Sequence, residues 1–430
     1  MVAALVLAGL AVPMQSAVAH DGGQPASCSG SHWVATWTAS PSDAFASIPL
    51  IDQTIRQQLF THYAGTTLRL HLSNRFSTQP VTFGQVTIGI QSKGSTVRAG
   101  TMRTADFAGK QAVTIPAHGE LLSDPIHLAI KALQVLDVSV FVEQALRPTE
   151  HFTSQSTSWS TLAGAGNHTS DLSGAAFPVA TPIPGVNFPA LPQGIDYTDG
   201  LDVRAPRSVG TVVAFGDSIT DGFQGDLTAV TPNSKQLDKN SRWPDDLARR
   251  LQKAHRKMSV VDAGISGNTI VYPPEFPILG PTGVTRFRRD VLDVPGVTEV
   301  IMLLGINDVG NVKAPPMIVG YKRIIRMAHQ AGKRIYLGTL TPDGGELAVD
   351  NGGGLVREQV NGWIRRQRLS DGVIDFSRAV EDPADHSRID PPYDGGDHLH
   401  FSAAGYRAMA RAVPLRILTP PSCGVTSPNE

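Results

Sequence analysis

Cysteine is nearly absent from this chain, with only Cys28 and Cys423 in 430 residues. In an oxidising compartment such a pair invites a disulfide that would join the two ends of the mature chain. Two free buried thiols are the other reading, and spacing does not choose between them. Charge is sparse as well. Charged residues make up 17%, the net charge is −1, and no dense Lys/Arg block occurs. That excludes nucleic acid or an anionic membrane surface as the main partner. Beyond the first residues no run approaches the ~20 apolar residues of a transmembrane helix. The histidines show no metal-ligand grouping such as HExxH, so neither a metal nor another cofactor is expected.

Glycine (42) and proline (31) are plentiful, as suits a loop-rich secreted protein. The opening "MVAALVLAGLAVPMQSAVAH" has an apolar core from Val2 to Leu10 followed by Ala17-Val18-Ala19, an A-x-A-like cleavage site. Residues 1–19 therefore read as a signal peptide, although a basic n-region is missing. Export to the extracellular space or periplasm is the expectation.

At 430 residues the chain is too long for one ordinary core, so two domains are expected. Short β-like runs at 66–76, 81–90, 110–117 and 133–143 alternate apolar and polar residues, for example Leu68, Leu70 and Leu72 against Arg69, His71 and Ser73. Residues 30–162 read as an all-β sandwich. The stretch 163–207, rich in Gly, Ala, Pro and Thr, reads as a linker. From 208 to 418 apolar strands (209–215, 258–264, 298–305, 333–340 and 372–377) alternate with helical patterns such as 243–256 and 316–331. On the second of these helices, Ile318, Tyr321, Ile325 and Ala328 share one face. That alternation predicts an α/β domain, a doubly wound, flavodoxin-like parallel sheet of five strands. Ligands bind such sheets at the carboxyl ends of the strands.

The stretch "AFGDSITDG" (214–222) stands at the first of those ends. Ser218 could be a nucleophile, or only a helix cap forming a capping box with Asp221. Other reactive groups gather at the same edge. Strand two runs into Gly264-Ile265-Ser266-Gly267-Asn268, strand three into Gly305-Ile306-Asn307-Asp308, and Asp397-His398-Leu399-His400 precedes the last helix. Acyl transfer has a use for each. His400 is the candidate base for the Ser218 hydroxyl, and Asp397 can fix its tautomer. The Ser218 amide, the Gly267 amide and the Asn307 side chain are candidate oxyanion donors. His398 is the rival base and Asp394 a rival orienter. Asp217 and Asp308 read as loop-holding residues.

GDS, a GxxGN-like turn, GxND and DxxH in this order resemble the blocks of the SGNH, or GDSL, hydrolases over 208–415. "DHLHFSAAGYRAMA" (397–410) is similar to that family's final block and helix. The resemblance implies Ser218 as nucleophile, Asp397 and His400 as its partners, and Gly267 and Asn307 as oxyanion donors with the Ser218 amide. Asp262 departs from the Asn that many members carry in the second block. "HWVATWTASPSD" (32–43) and "LRLHLSNRF" (68–76) resemble, more loosely, a subgroup of secreted arylesterases and xylan-associated esterases in which a β-sandwich comes first.

The expected activity is a secreted serine esterase acting through an acyl-enzyme on short-chain, acetyl-type esters of carbohydrates or aryl alcohols. The loops 222–241, 271–283 and 342–354 should border the cleft, and none carries the sustained apolar pattern of a lipase lid. A lipase or phospholipase-type acylhydrolase, an acyltransferase on the same residues, and a carbohydrate-binding protein with a vestigial hydrolase domain remain the alternatives. Trp33, Trp37 and Trp159 could stack on sugar or fill a core.

Overall fold

The computed structural model describes residues 30–44, 49–178, 194–226, 231–232, 237–344 and 353–421. The signal peptide expected at 1–19, Cys28 and Cys423 lie outside them. Two hydrophobic cores form, one in an N-terminal sandwich and one in a C-terminal α/β layer structure.

The sandwich consists of two antiparallel sheets. One runs Ser31–Thr38, Thr198–Pro206, Gly65–Ser73, with Glu120–Leu122 and Ile126–Ile130 at its far side; the other centres on Leu50–Thr61, Gln134–Ala145 and Val81–Lys93. Period-2 alternation accounts for the packing. Leu68, Leu70 and Leu72 from one sheet and Leu136, Val138, Val140 and Val142 from the other are fully buried in one core.

Two strands depart from the sequence reading. The linker expected at 163–207 contains the strand Thr198–Pro206, which lies between Ser31–Thr38 and Gly65–Ser73 and buries Leu201, Val203 and Ala205. Its alternation is masked by Asp202, a buried carboxylate that accepts from Arg69 (2.7 Å) and pairs with His71 (2.6 Å). The strand Leu50–Thr61 also went unread, because Arg56 and Gln57 are buried on it beside apolar residues. A covering segment explains that burial. The Arg56 guanidinium donates to Ser139 Oγ, to Ser95 O and to Asp171 O (2.7, 2.6 and 2.7 Å) and lies over the Phe177 ring.

The second body is a parallel sheet in the order Met258–Gly264, Gly210–Gly216, Val297–Leu303, Arg334–Gly338, Gly372–Ile374. This is the doubly wound α/β arrangement expected. Gly216 pairs with both Gly264 and Leu303, so three strands end level and their following loops meet at one edge. Trp243–Lys253 begins with Pro244 and with Asp245 accepting from the Arg242 amide (3.0 Å), and ends with Arg250 and Lys253, as its dipole favours. Ala314–Gln330 buries Met317, Tyr321, Ile324, Ile325 and Ala328, so its inner stripe is turned slightly from the expected one and Ile318 is only half-buried. No helix among the described residues is long and apolar enough to cross a membrane.

The two bodies are joined by buried polar contacts. The Ala35 amide donates to Pro295 O (3.0 Å), Thr38 Oγ1 to Asp262 O (2.5 Å), and Arg289 to Pro41 O (3.0 Å). His62 donates from Nδ1 to Val260 O (2.7 Å) and meets Asp245 with Nε2 (3.0 Å). Trp37 and Trp159 are core residues, while Trp33 lies between the Arg69 and Arg204 guanidinium groups, 4.5 and 5.0 Å from its ring centre. Because Leu201 is fully buried between sheet partners, Leu201→Ala is expected to destabilise the sandwich by about 2–5 kcal/mol, read as a lower urea midpoint. A midpoint equal to wild type would remove this strand from the core.

Candidate active site

The first strand of the parallel sheet ends at Gly216, and a single helical turn, Ser218–Asp221, follows. Asp217, not Ser218, caps that turn: its Oδ1 accepts from the Ile219 amide (3.1 Å). The capping box of Ser218 with Asp221 is therefore not the arrangement adopted. Burial pushes the Asp217 pKa up to about 7, against the opposing effect of the Ile219 and Gly305 amides. With the cap supplied by its neighbour, the Ser218 hydroxyl is left for another partner.

That partner is His400. Ser218 Oγ lies 2.8 Å from His400 Nε2, and His400 Nδ1 lies 2.6 Å from Asp397 Oδ2. A carboxylate can only accept, so Nδ1–H donates to Asp397 and Nε2 accepts from the serine O–H. All three residues are at least nine-tenths buried. Burial alone would raise the Asp397 pKa. The hydrogen bond and charge of His400, with the backbone amides of His400 and Leu399, outweigh it and leave the group below the usual carboxylate range. His398 points elsewhere. It sits at φ +60°, is 62% exposed at its side chain and pairs with Asp394 at 2.6 Å, so the two rivals partner each other outside the Ser218 contact.

The expected oxyanion donors converge on the same edge. Gly267 adopts φ +76°, a backbone conformation that favours glycine, and Leu279 packs where a Cβ would lie. Neither the Ser218 amide nor the Gly267 amide donates to an acceptor among the described residues. Asn307 donates one amide hydrogen to Asn268 O (2.8 Å), which brings its side chain against the Gly267 turn. Asp308 accepts from the amides of Ile270 (2.6 Å), Val271 (3.0 Å) and Tyr272 (3.0 Å), pinning the start of the next loop to the third strand. Parts of the loops at 222–241 and 342–354 lie outside the described residues.

Sequence reasoning missed three contributors. Arg286, 2% exposed, donates to Asn268 Oδ1 (2.9 Å), Ala263 O (2.8 Å), Gly216 O (2.6 Å) and Asp290 (2.9 Å), tying strands one and two together beneath the site. Its i,i+4 spacing to Asp290 was the one visible signal. Phe223 packs edge-on against His400, ring centres 4.7 Å apart. Asp221 Oδ2 accepts from Ser266 Oγ (2.7 Å), joining the serine turn to the residue before Gly267.

Chemically, the assembly offers a hydroxyl activated by an imidazole, a carboxylate that orients the imidazole, and unengaged amides at the same sheet edge. Residues 214–408 match the model of the GDSL-like Lipase/Acylhydrolase family. Among solved structures, a carbohydrate acetylesterase family member from Sinorhizobium meliloti is 20% identical, with 49% of this chain and 97% of that chain covered and a TM-score of 0.39. A GDSL-like lipase from Bacteroides thetaiotaomicron is 16% identical (48% and 87% covered, TM-score 0.36), and an acetyl xylan esterase 19% identical (47% and 96%, TM-score 0.34). No curated protein sequence matches the chain. Arg286→Met leaves Asp290 with one of its two guanidinium partners and strips donors from three strand-end groups. A loss of about 3–5 kcal/mol in unfolding free energy is expected, and an unchanged urea midpoint would refute the bracing role.

Proposed function

Since residues 214–408 form a GDSL-like lipase/acylhydrolase domain and the chain is a carboxylic ester hydrolase, we propose that Ser218, His400 and Asp397 are its catalytic residues and that short-chain acyl esters are its substrates. The carrying observation is the continuous Ser218–His400–Asp397 relay at 2.8 and 2.6 Å. In the first half-reaction Ser218 Oγ attacks the ester carbonyl carbon while its proton passes to His400 Nε2. The tetrahedral oxyanion takes hydrogen bonds from the Ser218 and Gly267 amides and the remaining Asn307 N–H. Collapse breaks the bond to the alkoxy oxygen, which leaves with the proton from His400. Water then attacks the acyl-enzyme, His400 accepts its proton, and Ser218 is regenerated with release of the acid.

The alcohol side is read as a carbohydrate or aryl group. Support comes from the loop that follows Gly267, which exposes the aromatic side chains Tyr272 and Phe276, residue types that stack on sugars and arenes. Export belongs to the same reading, supported by the apolar run Val2–Leu10 and the Ala17-Val18-Ala19 site. The mature N-terminus is expected near residue 20, which N-terminal sequencing of protein recovered from the medium or periplasm checks. An intact Met1 on the exported protein would refute cleavage.

The test of the chemistry compares wild type with Ser218→Ala and Asn307→Ala on p-nitrophenyl acetate, butyrate and palmitate, with acetate release from acetylated xylan. Wild type should prefer acetate. Ser218→Ala should lose nearly all turnover and Asn307→Ala about 10²–10³ of it. Retained turnover in Ser218→Ala would overturn the mechanism, and a preference for palmitate would overturn the short-chain reading.

A further inference from the structure

Asp221 stands at the end of the turn that Ser218 begins, and its carboxylate is gripped from the N-terminal domain. His151 Nε2 lies 3.2 Å from Asp221 Oδ1, and Thr153 Oγ1 donates to Oδ2 at 3.4 Å. The other ring nitrogen, Nδ1, lies 2.8 Å from Ser40 O. A carbonyl and a carboxylate both accept, so both ring nitrogens donate and the ring is an imidazolium. Both side chains of the pair are almost fully buried, at 4% and 1% exposure. Burial by itself would lower the His151 pKa. The charge and hydrogen bond of Asp221 and the Ser40 carbonyl outweigh it and the opposing charge of Arg242, leaving the group above the ordinary histidine value.

We propose that His151, carried by the N-terminal domain on the short ribbon Glu150–His151 with Ile195–Asp196, is a positioning residue for ester hydrolysis: by holding Asp221 it sets the Ser218 turn and the Gly267 turn in their working relation. A helix of one turn has too few internal bonds to fix its own direction. Its amino end is held by the Asp217 cap, its carboxyl end closes on Gly222, whose amide donates to Ser218 O, and Asp221, its last residue, is where the N-terminal domain grips it. On the sheet side there is no slack, since a Cβ on Gly264 would lie 2.4 Å from the Asp221 amide nitrogen. Through Ser266 Oγ the same carboxylate holds the residue preceding the Gly267 donor. One buried anion therefore aligns nucleophile and oxyanion donor, and a buried anion keeps its place only when a partner balances it. The partner with a direct bond and a positive charge is on the other domain.

This inference rests on the reading of Ser218 as nucleophile, and the experiment keeps the two apart. Full-length wild type, His151→Ala, His151→Gln, Ser218→Ala and the exposed sandwich control His127→Ala are assayed on p-nitrophenyl acetate well below their unfolding midpoints. His151→Ala is expected to lower kcat about 10- to 100-fold, as a misplacement near 1 Å does, with KM within about twofold. His151→Gln, whose amide nitrogen can still donate to Asp221, should recover most of kcat, and His127→Ala should match wild type. Wild-type kcat in His151→Ala, or equal loss in the Ala and Gln variants, overturns the proposal. If His151→Ala does not fold, Asp221→Asn replaces it: a kcat loss at unchanged KM supports the positioning role, and wild-type kcat overturns it. An active Ser218→Ala refutes the nucleophile itself, whereas an inactive Ser218→Ala beside a fully active His151→Ala refutes only the role of His151.

Discussion

The site depends first on which side chain caps the turn after strand one. A helix start leaves backbone amides in need of an acceptor, and a serine at that point is well suited to supply one. Asp217 takes the task one residue earlier, so Ser218 enters the helix with its hydroxyl uncommitted. The Gly305 amide at the start of the third strand's loop, where Asn307 is carried, is close enough to stabilise the same carboxylate against its burial, so the cap sits between the first and third loops. The relay to His400 needs that prior step. A hydroxyl engaged in capping would point along the helix axis rather than at an imidazole brought in from 182 residues away.

Buried carboxylates repeat this solution around the edge. Asp308 gathers three consecutive amides, Asp290 neutralises Arg286, and Asp221 collects donors from two domains. Asp308 and Asp221 each fasten a loop that follows a strand, and Asp290 balances the arginine beneath them. In the proposed reaction these contacts hold the donor dipoles in place before a substrate arrives, the condition under which electrostatic stabilisation is largest.

The legibility of all this in the sequence follows from distance along the chain. Ser218, Gly267 and Asn307 were readable because each sits within a few residues of the end of an apolar strand, and the doubly wound sheet then brings those ends together. Asp397 and His400 were readable because they lie three residues apart before a capped helix. The contact of His151 with Asp221 spans 70 residues and two domains, as does no local pattern, and Arg286 reaches Gly216 across the same separation. In the sandwich, runs such as Leu68, Leu70 and Leu72 announced themselves, whereas Leu50–Thr61 and Thr198–Pro206 hid behind buried Arg56 and Asp202. A polar residue buried by a distant partner looks, in one dimension, like a solvent-facing one.

The pairing of Ser31 with Pro206 has a consequence of another kind. The polypeptide enters the sandwich and leaves it at adjacent points, on neighbouring antiparallel strands, and starts the parallel sheet at Gly210 only a few residues later. Topologically the whole sandwich is a closed excursion hung beside the first strand of the hydrolase. The same domain that is attached beside this strand returns to the strand's far end, where His151 and Thr153 reach the turn that Ser218 begins.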